Sequence, residues 1–140
     1  MYLGQRFVAF RIKSLDVIIN LTNHPSSTWQ KKELETLAKY GEIVDLPFPH
    51  IAPEASIDEV RDVAGEYLQR VEEMKPDAVC LAGEFTFTFM CVDELLQKGF
   101  KVFIGASDRN VVEEKLSDGT YKKTLVFEFV QERKYARLCE

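Results

Sequence analysis

Residues suited to acid–base and phosphate chemistry gather where an apolar run ends, in the segment DVIINLTNHPSSTW (16–29). Within a few residues the chain passes through asparagine, histidine and proline and presents several hydroxyl groups. A histidine titrates near neutral pH, so His24 suits proton transfer or phosphate contact, although capping or a bond to a nearby carbonyl explains it equally well. This segment supplies the first candidate ligand-binding residues: Thr22, Asn23, Ser26 and Ser27.

The hydroxyls of this segment also have a structural interpretation. Ser26, Ser27 and Thr28 are of the types that cap helices, and Ser27 with Gln30 forms a possible capping box. We favour helix capping over ligand binding as the interpretation of these hydroxyl groups. A helix N-terminus nevertheless attracts anions through its free N–H groups and dipole.

Two later segments add candidates. Arg109 is the best placed cation for a phosphate because guanidinium binds oxyanions in a bidentate manner, while an ion pair with Glu113 or Asp108 is the structural alternative. Glu84 precedes a predicted helix, where an acid complements the helix dipole. Trp29 either packs or stacks on a base. The candidates from these segments are Gly83, Glu84, Thr86, Ser107 and Arg109.

Alternating patterns define the elements that must position these residues. β-Branched or apolar runs predict strands, periodic runs predict helices, and Asp118-Gly119 predicts the turn of a hairpin. The capping box Ser56–Glu59 opens the clearest helix. The predicted strands cover 16–21, 42–48, 77–83 and 101–107, the helices 27–40, 57–74 and 85–98, and the hairpin 111–116 and 121–130.

This order predicts an α/β fold: a single Rossmann-like domain over residues 16–140, with a mainly parallel sheet, helices on both faces and a C-terminal β-hairpin. We predict that residues 1–15 are an N-terminal extension or leader. Ligands of open parallel sheets bind beyond the carboxyl ends of the strands, where strand order reverses. All the candidate residues, and both histidines, fall on that edge in this prediction.

Composition narrows the function classes. The chain has 140 residues, a formal net charge of −5 and a pI near 5.2, which argues against duplex nucleic acid as a partner. No apolar run is long enough to span a membrane, and three scattered cysteines suit a reducing, cytoplasmic compartment. GxGxxG, Walker A and zinc-ligand spacings are missing from the sequence, so we expect no cofactor and no metal.

The loop residues carry a family resemblance. The first strand followed by Asn23-His24-Pro25-Ser26 and the Trp29-Gln30 helix start resembles the small stand-alone CRISPR-associated proteins of the CARF-like Rossmann group, several of which are ring nucleases. The resemblance extends more loosely to Gly83-Glu84-Phe85-Thr86 and Ser107-Asp108-Arg109. It spans the region from Asp16 to about Tyr135.

This resemblance implies a homodimer that binds cyclic tetra-adenylate across its two-fold axis and cleaves it to linear di-adenylate, a step in antiviral defence. It implies metal-independent attack by a ribose 2′-OH on its own phosphate. In this mechanism His24 carries protons and Arg109 stabilises the negatively charged, phosphorane-like state. Some members of the group lack an essential histidine, so a binding role for His24 stays open.

Two alternatives to the ring nuclease remain at this point. A non-catalytic sensor would use the same pocket for a cyclic oligonucleotide without cleaving it. A dimeric interaction domain would use the same loops only to cap helices. The hairpin segment TLVFEFV (124–130) is apolar on both faces, and such a strand does not usually remain exposed to solvent. Contact with a second copy of the chain would bury it, which favours a homodimer. The N-terminal segment would also bury it if that segment folded back.

Overall fold

A computed structural model describes residues 16–140, which form an α/β fold around a mixed, curled five-stranded sheet. The strand order is β2-β1-β3-β4-β5; the first four strands are parallel and β5 is antiparallel to β4. The strands are β1 (Val17–Thr22), β2 (Glu42–Asp45), β3 (Ala78–Ala82), β4 (Lys101–Lys115) and β5 (Tyr121–Lys134). The helices are α1 (Lys31–Ala38), α2 (Ile57–Met74) and α3 (Phe85–Gln97), with a short 3₁₀ turn at Ser26–Thr28.

Helices cover both faces of the sheet, as the alternation of elements predicts. Successive side chains of a strand point to opposite faces. Ile18 and Cys80 accordingly pack with Leu37 of α1, and Ile19 and Val79 pack in the larger cluster with α2 and α3. None of the helices within residues 16–140 is both long enough and apolar enough to cross a membrane.

The boundaries of α2 and α3 confirm the predicted helix starts. Ser56 and Glu59 form the reciprocal capping box, with Ser56 Oγ accepting from Glu59 N at 3.2 Å and Glu59 Oε2 accepting from Ser56 N at 2.7 Å. Lys75 adopts a left-handed conformation that ends α2. Glu84 is the N-cap of α3, which runs from Phe85.

The predicted cap of α1 is wrong. Ser27 does not begin this helix; it lies in the 3₁₀ turn, and α1 starts at Lys31 with Gln30 as an N-cap that makes no side-chain capping bond. Trp29 and Gln30 have extended backbones, which separates the turn from the helix. The hydroxyls of Ser26 and Thr28 are bonded elsewhere, to Asp45 Oδ2 and to the Pro25 carbonyl.

The fourth strand is longer than predicted, and its antiparallel pairing with β5 makes the sheet mixed, although the first four strands are parallel as predicted. β4 runs without a break through residues 108–110, which lie between the predicted strands 101–107 and 111–116. Ser107 pairs with Phe129 and Arg109 with Phe127, after a register shift at Ala106/Ser107. The pairing of β4 with β3 ends at Phe103, so most of β4 and β5 forms a two-stranded ribbon. The predicted Asp118-Gly119 turn closes it.

The predicted N-terminal extension, residues 1–15, lies outside the described residues.

Candidate ligand-binding groove

A groove of about 610 Å³ lies at the carboxyl ends of β1 and β3, the point where strand order reverses. Open α/β sheets bind ligands at this place because the chain diverges there to either side. We call it the switch groove. It is lined by Thr22, Asn23, His24, Thr28, Trp29, Gln30, Glu33, Cys80, Ala82, Ile104, Gly105, Ser107, Phe127 and Phe129.

A buried asparagine holds the loop that carries His24. Asn20 is 1% exposed, and its Nδ2 donates to the His24 carbonyl at 2.9 Å and to Asp45 Oδ1 at 2.8 Å. Thr22 Oγ1 lies 2.7 Å from Asn20 Oδ1 and accepts from His24 N at 3.2 Å. The Trp29 indole donates to the same His24 carbonyl at 3.1 Å. The backbone of His24 is therefore fixed from three sides, while its imidazole side chain remains exposed at the groove.

Asp45 connects this loop to β2. It accepts from Ser26 N and from Ser26 Oγ, the latter at 3.0 Å, in addition to the bond from Asn20. Ser26 is thus engaged with the end of β2 and does not line the switch groove. Ser27 is exposed on the same 3₁₀ turn and also lies outside the lining.

Gln30 attaches the other wall of the groove, the ribbon, to the start of α1. Its Nε2 donates to the Phe127 carbonyl at 2.6 Å, and its Oε1 accepts from Phe129 N at 2.9 Å. A side-chain amide here bonds the edge of β5 as the peptide group of a further strand would. Since an open strand edge invites pairing with another chain, this contact also blocks β5 at that point.

Glu33 lines the groove beside a glycine of β4. Its Oε1 lies 3.0 Å from where a Cβ on Gly105 would stand. Partial burial removes water from the carboxylate and raises the pKa of Glu33. Glu33 is thus a carboxyl group of raised proton affinity in the same groove as His24.

The raised pKa of Glu33 predicts a pH-dependent cost to the fold. Partial burial destabilises only the ionised form of Glu33. The resulting loss of folding free energy is therefore absent below the unfolded-state pKa of Glu33 and complete above its raised folded-state pKa. We expect Glu33→Gln to raise the free energy of unfolding by less than about 1 kcal/mol at pH 7, since the site is half open to solvent, and to leave it unchanged near pH 3. Urea denaturation at both pH values measures this change in the free energy of unfolding.

Glu35→Gln, which removes only an exposed ion pair with Lys31, is the control and should change stability by a few tenths of a kcal/mol at most. Equal effects of Glu33→Gln at the two pH values would contradict the prediction.

The buried cysteines are poor candidates for a nucleophile. Burial raises the pKa of the Cys80 thiol, in the groove floor, to about 12 and that of Cys91, in α3, likewise to about 12. The thiolate is the reactive form, so both are unreactive at neutral pH. Cys139 is exposed.

The structure brings together four of the sequence-predicted site residues. Thr22, Asn23, His24 and Ser107 all line the switch groove. Arg109 does not line it, but its guanidinium lies over the ring of Phe127, 5.7 Å from the centroid, and Phe127 does line it. Arg109 therefore flanks the groove from the middle of a strand, not from the predicted loop.

Gly83, Glu84 and Thr86 lie outside the groove lining, at the start of α3. Glu84 accepts from the backbone N–H of Phe87 and from the hydroxyl and backbone N–H of Thr86, and these bonds, the one from Phe87 above all, lower the pKa of its carboxyl. A Cβ on Gly83 would stand 2.3 Å from the Phe48 ring. The helix cap and the aromatic packing account for these residues without a ligand.

Four residues of the site were not among the sequence-based candidates: Asn20, Asp45, Gln30 and Glu33. Asp45, exposed at the end of β2, carried no signal, whereas Asn20 did, because it is a polar residue inside the otherwise apolar strand β1. A buried polar side chain needs partners, so such a position predicts a hydrogen-bond network. Gln30 and Glu33 had no comparable signal, since their contacts are made with the ribbon, far along the chain.

Comparison with known proteins adds one finding to this geometry. The model of the uncharacterized protein MJ1673 family matches residues 16–133. The chain belongs to this family. No curated protein and no solved structure matches the chain. The matched range includes every residue of the switch groove, so the groove is part of the MJ1673 family region.

Proposed function

We propose that this MJ1673 family protein is a CARF-like, Rossmann-like ring nuclease that binds cyclic tetra-adenylate in the switch groove and cleaves it to linear di-adenylate. The observation that carries the proposal is the composition of the groove: an exposed imidazole, neutral polar side chains and aromatic rings meet at the strand-order switch. The resemblance of the Asn-His-Pro-Ser loop to CRISPR-associated ring nucleases supplies the ligand class.

The groove offers stacking surfaces for adenine. Trp29, in the loop after β1, and Phe127, on the ribbon, both line it, and Trp29 also packs against the core cluster that contains Leu37. Each stacked base contributes about 1–3 kcal/mol in single-stranded nucleic-acid binding. Asn23, Thr28 and Ser107 supply hydrogen-bonding groups beside these rings.

The charge of the groove favours hydrogen bonding over ion pairing with phosphate. Its lining within residues 16–140 includes the carboxylate Glu33 and neither lysine nor arginine. The guanidinium of Arg109 lies over the ring of Phe127, which lines the groove. We assign Arg109 to the phosphate and to the charge that grows on it during cleavage.

Cleavage needs proton transfer and orientation. The ribose 2′-oxygen attacks the adjacent phosphorus, the bond from phosphorus to the 5′-oxygen breaks, and the products are a 2′,3′-cyclic phosphate and a 5′-hydroxyl. The proton of the 2′-OH passes to a base, and a proton is delivered to the leaving 5′-oxygen. His24 is the proton carrier in this proposal, because its backbone is fixed by Asn20, Thr22 and Trp29 while its imidazole is exposed at the groove.

A homodimer fits a two-fold symmetric ring, and the ribbon supplies a surface for it. Val111, Val112 and Phe127 are 62%, 50% and 55% exposed, on a ribbon with apolar residues on both faces. Isolated two-stranded ribbons are marginally stable in water, so a second copy packed on this ribbon would stabilise it.

The test is incubation of the protein with labelled cyclic tetra-adenylate in EDTA, with chromatographic separation of the products. We expect linear di-adenylate from the wild type and a loss of rate of about 100-fold or more in His24→Ala, as for removal of a general acid–base group. His50→Ala is the matched control, since His50 is the other histidine, exposed and outside the groove lining.

The other outcomes separate the alternatives. Tight binding without turnover would make the protein a sensor of cyclic oligonucleotides. Neither binding nor cleavage would overturn the proposal and favour an interaction domain. Equal loss of rate in His24→Ala and His50→Ala would remove His24 from the mechanism.

A further inference from the structure

A second exposed apolar surface lies on the helix layer opposite α1, between α2 and α3. Phe85 and Phe89, one helical turn apart on α3, are 89% and 73% exposed, and Ile57 of α2 is 52% exposed. These side chains border a groove of about 840 Å³ whose lining also includes Leu68 and Met90. We call these five residues the Phe85–Phe89 face. Large exposed apolar side chains beside a recess are typical of interaction sites.

The two helices that carry this face are strongly acidic. Together α2 and α3 hold eight carboxylates and two arginines. Both arginines already have partners on α2, because Arg61 pairs with Asp58 and Arg70 lies over the Tyr67 ring. A segment that binds this face therefore meets an excess of negative charge.

The ribbon, the other exposed apolar surface of the described chain, has the opposite charge balance. Its strands β4 and β5 hold five carboxylates and seven lysines or arginines. Surface charge of one sign attracts a segment of the other sign and repels one of its own. A segment that is both apolar and basic is therefore drawn to the Phe85–Phe89 face in preference to the ribbon.

The first fifteen residues of the chain have this composition. The sequence MYLGQRFVAFRIKSL contains Arg6, Arg11 and Lys13 and no acidic residue. The chain has 18 lysines and arginines in all, so its other 15 stand against all 23 acidic residues in the remainder of the molecule. The segment also carries large apolar side chains, namely Tyr2, Leu3, Phe7, Val8, Phe10 and Ile12.

The start of β1 brings this segment to one end of the groove. Asp77 N donates to the Val17 carbonyl at 2.9 Å, so β1 begins beside the residues that follow α2. Glu72 lines the same end of the groove, and Ile57 lies at the other end, about 22 Å away along the helix. Fifteen residues span at most about 50 Å when extended and about 22 Å as a helix. Residues 1–15 are therefore long enough to follow the whole groove.

We propose that residues 1–15 dock on the Phe85–Phe89 face of their own molecule. Their apolar side chains enter the groove, and Arg6, Arg11 and Lys13 lie against the carboxylates of α2 and α3. Burial of apolar side chains drives the contact, and covalent attachment to β1 gives the segment a high effective concentration at the face. This contact is independent of the proposed ring nuclease, because no residue of the Phe85–Phe89 face lines the switch groove.

The test is the rate at which trypsin cleaves the full chain after Arg6, Arg11 and Lys13, followed by mass spectrometry. A docked segment is cut only in the fraction of molecules in which it has opened. We expect Phe89→Asp to speed these cleavages at least about tenfold, because it removes apolar contact from the face. Its circular dichroism should match that of the wild type, since Phe89 is mostly exposed. Val112→Asp, at a 50% exposed apolar position of the ribbon, is the matched control and should leave the rate unchanged.

Oxidation of methionine by hydrogen peroxide gives the reciprocal readout, from the face itself. Met90 lines the groove, whereas Met74, which is also half-buried against the same core cluster, does not. We expect Phe10→Asp, a change in the segment alone, to raise the oxidation rate of Met90 several-fold and to leave that of Met74 unchanged.

Three results would overturn the proposal. The first is an equal cleavage rate in the wild type and in Phe89→Asp. The second is faster cleavage in Val112→Asp alone, which would place the segment on the ribbon. The third is protection that is lost when the protein is diluted, which would show that the segment on the face comes from a second copy of the chain.

Discussion

Asn20→Ala is expected to lower the free energy of unfolding by about 2–4 kcal/mol, because it removes a buried side chain together with the partner of three polar groups. Asn20 is 1% exposed and bonds the His24 carbonyl, Asp45 Oδ1 and Thr22 Oγ1 at 2.7–2.9 Å. Denaturation in urea, followed by circular dichroism, measures the change. We also expect weaker protection from amide hydrogen exchange in the loop from Thr22 to Trp29.

The matched control is Asn23→Ala in the same loop. Asn23 is exposed, so its replacement should change stability by no more than about 0.5 kcal/mol, as for ordinary surface positions. The two asparagines thereby separate the support of the loop from its contact with a ligand. If Asn20→Ala cost no more than Asn23→Ala, the buried network would not be what holds His24 in place.

Most elements of this fold could be predicted from local patterns. The continuous apolar runs of β1 and β3 predicted strands covered on both faces, and Ile18 and Ile19 do pack against opposite helix layers. The Ser56–Glu59 capping box predicted the start of α2 because both partners lie within one helical turn. Such signals are local, so the sequence alone was sufficient.

The errors arose where distant contacts override local residue types. Ser107-Asp108-Arg109-Asn110 has the composition of a turn, yet each residue pairs with β5, about twenty residues further along the chain. Ser27 is a good capping residue, but the chain is extended at Trp29 and Gln30, and Gln30 bonds the edge of β5 instead. Neither the extension of β4 nor the late start of α1 can be predicted from a short stretch of sequence, because both depend on contacts with β5.

The candidate site shows the same division. The loop after β1 was predicted to hold the chemistry because it follows a buried strand, and four predicted residues do meet in the switch groove. The side chains that hold the loop, Asn20 and Asp45, come from two neighbouring strands whose pairing only the folded sheet establishes. Glu33 of α1 meets Gly105 of β4 in the groove, a contact between residues more than seventy positions apart.

Gly83→Ala is expected to destabilise the protein by about 1–3 kcal/mol through overpacking. The new Cβ would stand 2.3–2.8 Å from three atoms of the Phe48 ring, which itself packs edge-on against Phe87 with ring centroids 5.1 Å apart. Phe48 is partly buried against the core cluster that contains Phe87, so moving its ring away from the new methyl disturbs that packing. Gly65→Ala, where the added methyl meets open space, is the matched control and should not destabilise the chain.

A double-mutant cycle with Phe48→Ala decides why Gly83 is a glycine. Without the Phe48 ring the clash is gone, so Gly83→Ala should then cost less than about 0.5 kcal/mol, and the difference between the two backgrounds is the coupling between the residues. Urea denaturation of the four proteins gives that coupling. A cost of Gly83→Ala that persists without Phe48 would point to backbone strain. An unchanged stability combined with lost binding of cyclic tetra-adenylate would instead return Gly83 to the ligand site, because the glycine would then serve the approach of a ligand and not that of the Phe48 ring.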